Sequence, residues 1–188
     1  ISFSNAPGLA PSLIAGMNFA KEVATKLDIP LVLVNHCVAH LEIGDTVGAK
    51  DPVMLYASGA NTQIIAYEAG KYRVFGETLD TGVGNFIDTF ARYAGLGFPG
   101  GPKIMELAAK SDKLVELPYS IKGMDVSFSG LLTKLRRMLE KKEHSLEDLS
   151  FSLQETVFAM LVEASERALA HTGKKELLLG GGVACNSR

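Results

Sequence analysis

Tryptophan is absent from the 188 residues, and cysteine occurs only twice, as Cys37 and Cys185. Two thiols cannot build the bridge framework of small secreted domains, so a disulfide scaffold is excluded and a reducing, cytoplasmic setting is expected. No apolar run reaches the ~18 residues that cross a bilayer, and no signal peptide is visible; no membrane partner is expected. An excess of either charge is missing too. Lys and Arg number 19 against 21 Asp and Glu, a net charge of −2, which argues against strong nucleic-acid binding by this chain alone. Repeats and low-complexity tracts are lacking, as is a Walker-type Gly-x-x-x-x-Gly-Lys-Ser/Thr sequence. The chain does not begin with Met. It opens on what reads as a strand end and closes just past a glycine loop where a helix should begin, so an internal piece of a longer protein is expected.

What is present suits a globular α/β protein with a sizeable core: 47% of residues are apolar and 19 are glycine. Apolar side chains at Leu9, Leu13, Met17, Ala20, Val23, Ala24 and Leu27 have helical spacing. Leu31–Val34 reads as a buried strand leading into a helix that carries His36 and His40. The polar stretch 45–52, with Gly48, Asp51 and Pro52, marks a boundary between a lobe of residues 1–50 and a second of 51–188. Val53–Ala57, Gln63–Tyr67 and Tyr72–Phe75 read as three strands joined by two turns. Helices are predicted over Val83–Tyr93, after Phe98–Pro102, and over Ser129–Glu140. A long helix is predicted to open at Ser145, with Asp148 completing a variant capping box. Glu176–Leu179 reads as a short buried strand that Gly180-Gly181-Gly182 carries into a further helix. Hairpins mixed with strand–loop–helix units predict a mixed-sheet α/β lobe.

Three patterns could carry chemistry. The first is His36-Cys37-Val38-Ala39-His40. Four residues make about one helical turn, ~6 Å of rise, so both imidazoles leave one face and could chelate zinc or iron; spacing alone equally allows two core histidines. Cys37 stands where the zincin proteases place the Glu that serves as general base. Tyr56, just before the first glycine turn, could add a phenolate. The second pattern is the set of glycine turns Ser58–Thr62, Phe98–Pro102 and Gly180–Gly182. Each could be plain turn chemistry, but glycine lets backbone amides approach an anion, and three such turns in one lobe favour a nucleotide site. The third is the run of carboxylates Glu77, Asp80 and Asp88, of which Asp88 could accept ribose hydroxyls or lie on a solvated helix face. Cys37 and Cys185 are expected to be buried apolar residues. Arg136, Arg137, Lys141 and Lys142 form a basic stripe that is expected to be a solvated face.

Taken together, His36–Gly44, Tyr56–Gln63, Gly76–Asp80, Val83-Gly84-Asn85 with Asp88, Phe98–Pro102, Asp125–Gly130 and Gly181–Asn186 resemble, in one order along nearly the whole chain, the archaeal and eukaryotic form of the TsaD family. These are tRNA threonylcarbamoyladenosine transferases, the catalytic subunit of the KEOPS complex. The resemblance implies an actin-like ATPase superfold, the fold of sugar kinases and chaperone ATPases, with residues 1 to 50 ending the first lobe and the rest forming most of the second. It implies transfer of a threonylcarbamoyl group from its adenylate to the exocyclic amine of the adenine beside the tRNA anticodon. It implies one divalent metal, iron or zinc, with His36, His40 and Tyr56 among its ligands, and ATP or threonylcarbamoyl-adenylate, with Mg, as nucleotide. Tyr56, Ala57, Ser58, Gly59 and Ala60 match the stretch that contacts the adenylate, and Asp88, Gly101 and Asn186 match nucleotide contacts. Ala60 replaces the family's second glycine. Met105 replaces its ribose-directed Glu, leaving Glu106, one position on, as the candidate carboxylate. The implied partners are tRNA, held mainly by other subunits, and KEOPS subunits including a small dimerising one and a kinase-like one. The 188 residues alone are expected to be inactive. A metallopeptidase, an older attribution for the family, and a non-catalytic nucleotide-dependent scaffold are the alternative functions.

Overall fold

A computed structural model describes residues 1–188, and the chain divides into two compact units, Ile1–Lys50 and Asp51–Arg188.

In the first unit, strand β1 (Ser2–Ala6) pairs in parallel with β2 (Val32–Asn35), and the crossover between them is helix α1 (Ala10–Leu27). Parallel neighbours require such a crossover, which here is a helix. Pro11 sits in the first turn of α1, where its missing N–H costs nothing, and the left-handed Asp28 ends it. β2 runs directly into α2 (His36–Glu42). Asn35 makes that switch possible: its side-chain oxygen accepts the Cys37 and Val38 amides at 2.9 and 3.1 Å, an N-cap of the usual kind. A 3-10 turn, Ile43–Val47, closes the unit.

The second unit is built on a four-stranded sheet in the order β5-β4-β3-β8. β3 (Pro52–Ala57), β4 (Thr62–Glu68) and β5 (Lys71–Glu77) form an antiparallel meander, and β8 (Glu176–Gly180) joins β3 in parallel, Val53 opposite Leu177 and Tyr56 opposite Gly180. Every residue of β3 after Pro52 is buried, as expected of a central strand covered on both faces. Helices α3 (Val83–Tyr93), α4 (Gly101–Ala108), α5 (Ser129–Lys141) and α6 (Leu146–Thr172) supply the rest of the core, with a two-residue hairpin, β6 (Ile121–Lys122) and β7 (Asp125–Val126), between α4 and α5. Leu149, Leu153, Val157, Met160, Leu161, Ala164 and Ala168 recur at helical spacing and bury one side of α6. Phe86 of α3 stacks on Phe128 with ring centroids 5.4 Å apart, both fully buried. Burying side chains of this size stabilises by ~1.5–3 kcal/mol each.

Two helix starts are set by carboxyl and hydroxyl groups. Ser145 Oγ accepts the Asp148 amide at 3.0 Å and starts α6 where the capping pattern predicts. α5 has no cap of its own. Its amides at Phe128 and Ser129 donate instead to Asp80, at 3.0 and 2.9 Å, and Thr81 N–H adds a third bond at 2.7 Å. Desolvation pushes the Asp80 carboxyl up, but these amides outweigh it and hold it below its usual value.

The glycine run after β8 departs from expectation. Gly182–Cys185 is a single 3-10 turn, not a helix. Cys185 is likewise not buried: Cys37 is, and burial pushes its thiol up, but Cys185 is exposed. Val183 is the side chain of this turn that packs against the core, while Cys185 stays on its exposed side.

Candidate nucleotide site

The parallel pairing of β3 with β8 brings their carboxyl ends together, and the sheet edge where such strands end is where open α/β folds bind ligands. Three glycine turns converge there. The β3–β4 turn is tied by Ser58, whose N–H and Oγ both donate to Asn61 O at 2.9 and 3.0 Å, while Asn61 N–H returns to Ser58 Oγ at 3.3 Å. The amides of Gly59 and Ala60, both exposed, take no part in these bonds. α3 docks on this turn through its own first amides: Gly84 N–H donates to Ser58 O at 3.0 Å and Asn85 N–H to Gly59 O at 2.8 Å. Contact this close requires glycine, since a Cβ on Gly84 would lie 2.7 Å from Gly59 Cα. On the other side, Gly181 has φ +89°, and a Cβ there would lie 2.3 Å from Ala57 O.

The third turn, 98–102, is anchored by Asp88, which accepts the Gly100 amide at 2.7 Å. Between the turns lies a cavity of about 300 Å³, bounded by Gly59, Gly84 and Asp88, by Phe98, Pro99 and Gly101, by Ile104 and Met105 of α4, by Leu153, Gln154 and Phe158 of α6, and by Gly182, Val183, Cys185 and Asn186. Its walls are apolar, its polar groups few, and it is lined by no Lys or Arg, the usual make-up of a small-molecule site.

The sequence-derived residues fall as follows. Gly59, Asp88, Gly101 and Asn186 line the cavity. Tyr56 and Ala57 are buried at the end of β3, with Ser58 and Ala60 in the turn above. Glu106 does not line it; its carboxylate pairs with Lys110 at 3.1 Å on an exposed face, and Met105 faces the cavity. The run of carboxylates separates: Asp80 caps α5, Glu77 pairs with the Gln63 amide at 3.1 Å, and only Asp88 reaches the cavity. Gln154 and Phe158 also line the cavity, although in the sequence their helical spacing reads simply as core.

In the first unit, the His36 and His40 rings lie edge to face with centroids 4.8 Å apart. Burial, then the charge of His36, pushes the His40 imidazole below its usual value, favouring the neutral form that ligates metal. Two imidazoles on one face fit two positions of a borderline ion, but no group of three or more His, Cys, Asp or Glu stands ready to hold one.

The model of the family described as TsaD: tRNA N6-adenosine threonylcarbamoyltransferase matches residues 1–188. The enzyme of that name from Thermococcus kodakarensis is 58% identical over 188 residues, covering 100% of this chain and 58% of its relative. A probable bifunctional tRNA threonylcarbamoyladenosine biosynthesis protein from Methanothermobacter thermautotrophicus is 60% identical over 189 residues, 100% of this chain and 35% of that protein. The chain thus spans little more than half the length of the first of these relatives. Among solved structures, full-length HypF in its phosphate- and nucleotide-bound form superposes with a TM-score of 0.74 at 14% identity, over 98% of this chain and 40% of that one. Component A of the Acidaminococcus fermentans (R)-2-hydroxyglutaryl-CoA dehydratase gives 0.60 at 16%, over 97% and 73%. The fold is therefore of the actin-like ATPase type. With the family model matched from the first residue to the last, the chain belongs to the TsaD family, the tRNA N6-adenosine threonylcarbamoyltransferases.

Proposed function

We propose that the protein containing these residues transfers a threonylcarbamoyl group from threonylcarbamoyl-adenylate to N6 of the adenine beside the tRNA anticodon. The observation that carries this reading is the cavity where three glycine turns and Asp88 meet, in a chain of this family. Residues 51–188 act as the nucleotide-holding lobe and residues 1–50 as the end of the other lobe.

Each part has a physical role. The Gly59 and Ala60 amides, which make no bond within the turn, are the donors for a phosphate there, and the Ala60 methyl makes that approach less close than glycine would. Asp88 keeps one oxygen on Gly100 and offers the other to a ribose hydroxyl. The apolar walls take the base. His36 and His40, side by side on α2, are the ligands for one divalent ion, iron or zinc, which when bound supplies Lewis-acid polarisation and a template for anionic oxygens. In the transfer, the adenine N6 lone pair attacks the carbamoyl carbon. The new C–N bond replaces the C–O bond to the adenylate phosphate, AMP leaves, and N6 loses a proton. Excluding water matters, because the same carbon is open to hydrolysis.

Cys37 cannot act as the base of a peptidase: it is 2% exposed and burial pushes its thiol up. With a net charge of −2, most tRNA phosphate contacts fall to partner subunits, those of the cytoplasmic KEOPS assembly. Nucleoside mass spectrometry of tRNA tests the reading. Disrupting the gene removes threonylcarbamoyladenosine, and the intact gene restores it where a His36→Ala version does not. Undiminished modified nucleoside after disruption overturns it, as does full restoration by a catalytically dead scaffold.

A further inference from the structure

We propose that Gln154 reads the base, its amide nitrogen donating a hydrogen bond to a ring nitrogen of the purine held in the cavity; this rests on the nucleotide reading above. Gln154 lies in the middle of α6, is 6% exposed, and lines the cavity. Burying a primary amide in a helix core is costly unless both of its ends are engaged.

One end is fixed by a relay. The Arg188 main-chain N–H donates to Asn186 Oδ1 at 2.9 Å, which makes the other end of that amide Nδ2. Nδ2 donates to Gln154 Oε1, also at 2.9 Å. The direction of both amides follows from a backbone donor that cannot be reversed. Gln154 Nε2 is therefore the outward end. It has no protein partner, and it is not sealed in, since Ser150 Oγ is the one fully buried side-chain polar atom left unpaired. With Oε1 taken by Asn186, Nε2 is the amide end that Gln154 has left for the cavity it lines.

The surroundings select what they meet. Phe98, Met105, Phe158 and Val183 present apolar walls, and no Lys or Arg lines the cavity to favour a phosphate. A flat ring with an unprotonated nitrogen on its edge satisfies both the walls and the donor. A site built to hydrogen-bond one group rejects the analogue lacking it, because its own polar atom is then left unpaired.

The test is calorimetric titration of the complete gene product with ATP and its 1-deaza, 3-deaza and 7-deaza analogues. One analogue is expected to bind about tenfold more weakly, the value of one hydrogen bond near 1.4 kcal/mol. Gln154→Glu keeps the acceptor for Asn186 but loses the donor; it is expected to bind ATP at least tenfold more weakly and to lose the preference. Gln154→Met, with its unfolding midpoint measured, covers the case in which the carboxylate prevents folding, and is expected to lose the preference equally. Equal binding of all four nucleotides by the unaltered protein, or a preference that survives in a folded Gln154 variant, overturns the proposal while leaving the nucleotide site standing. Failure of the unaltered protein to bind ATP overturns both.

Discussion

Gly84→Ala is the sharpest probe of how the candidate site is assembled. The new Cβ would lie 2.7 Å from Gly59 Cα and 2.9 Å from both Gly59 N and Ser58 O. All three are backbone atoms and cannot rotate away. Carbon atoms prefer ~3.5–4 Å, so the start of α3 must retreat by about 1 Å. That retreat stretches the bonds from Gly84 N–H to Ser58 O and Asn85 N–H to Gly59 O, each worth about 1 kcal/mol net. Overpacking adds ~1–3 kcal/mol, and the better helix propensity of Ala returns about 1 kcal/mol. The net loss is about 3 kcal/mol, and at ~3 °C per kcal/mol the melting midpoint falls by about 10 °C. Gly130→Ala is the internal control: it is helical with nothing within 4 Å of its Cβ, so Ala should gain about 0.5 kcal/mol there. Scanning calorimetry on both variants reads the difference. A Gly84→Ala protein as stable as the unaltered one, with Gly130→Ala behaving as stated, would refute the close approach of α3 to the turn.

Asp80→Asn should destabilise by about 1 kcal/mol at neutral pH, discounted for solvent screening, because it removes the charge that three amides hold. Its carboxyl is lowered in the fold, so the stabilisation is full above about pH 4 and is lost as pH falls through the folded value; urea unfolding should show the two proteins converging in acid. Ser150→Ala should raise stability by about 1 kcal/mol in the same assay, since it removes a buried hydroxyl without a partner from a helix interior. Asp88→Ala should weaken ATP binding about tenfold in calorimetry, by freeing the 98–102 turn from its Gly100 anchor as well as removing a ribose acceptor.

Much of the fold is local, and that part is legible in the chain. Val83–Tyr93 is helical over the predicted bounds, and Ser145 caps α6 as its spacing with Asp148 indicates. The Glu176–Leu179 strand is present, one residue longer, but Leu177 and Leu179 are exposed, as are Val32 and Leu33 of β2, where the apolar runs predict buried strands. Interactions across long sequence gaps are not legible. Asp80 looks like one more carboxylate near Asp88 until the chain returns 48 residues later to place the α5 amides on it. The β6–β7 hairpin has two residues per strand, too few for any period to register. In the site, the glycine turns announce themselves by composition, but their convergence depends on the parallel β3–β8 pairing across 124 residues. Gln154 is hidden for the opposite reason. It sits among the buried residues of a long helix whose spacing reads as core, and only its neighbours Asn186 and Arg188 reveal which end of its amide is unspent.

The most direct test of the account is transfer itself. The complete gene product, with the subunits it purifies with, is given synthetic threonylcarbamoyl-adenylate and unmodified tRNA, and AMP and modified nucleoside are quantified together. The account requires AMP and threonylcarbamoyladenosine to appear one for one, and both to fall in the Asp88→Ala protein. AMP release without modified tRNA, or transfer indifferent to Asp88, would contradict it.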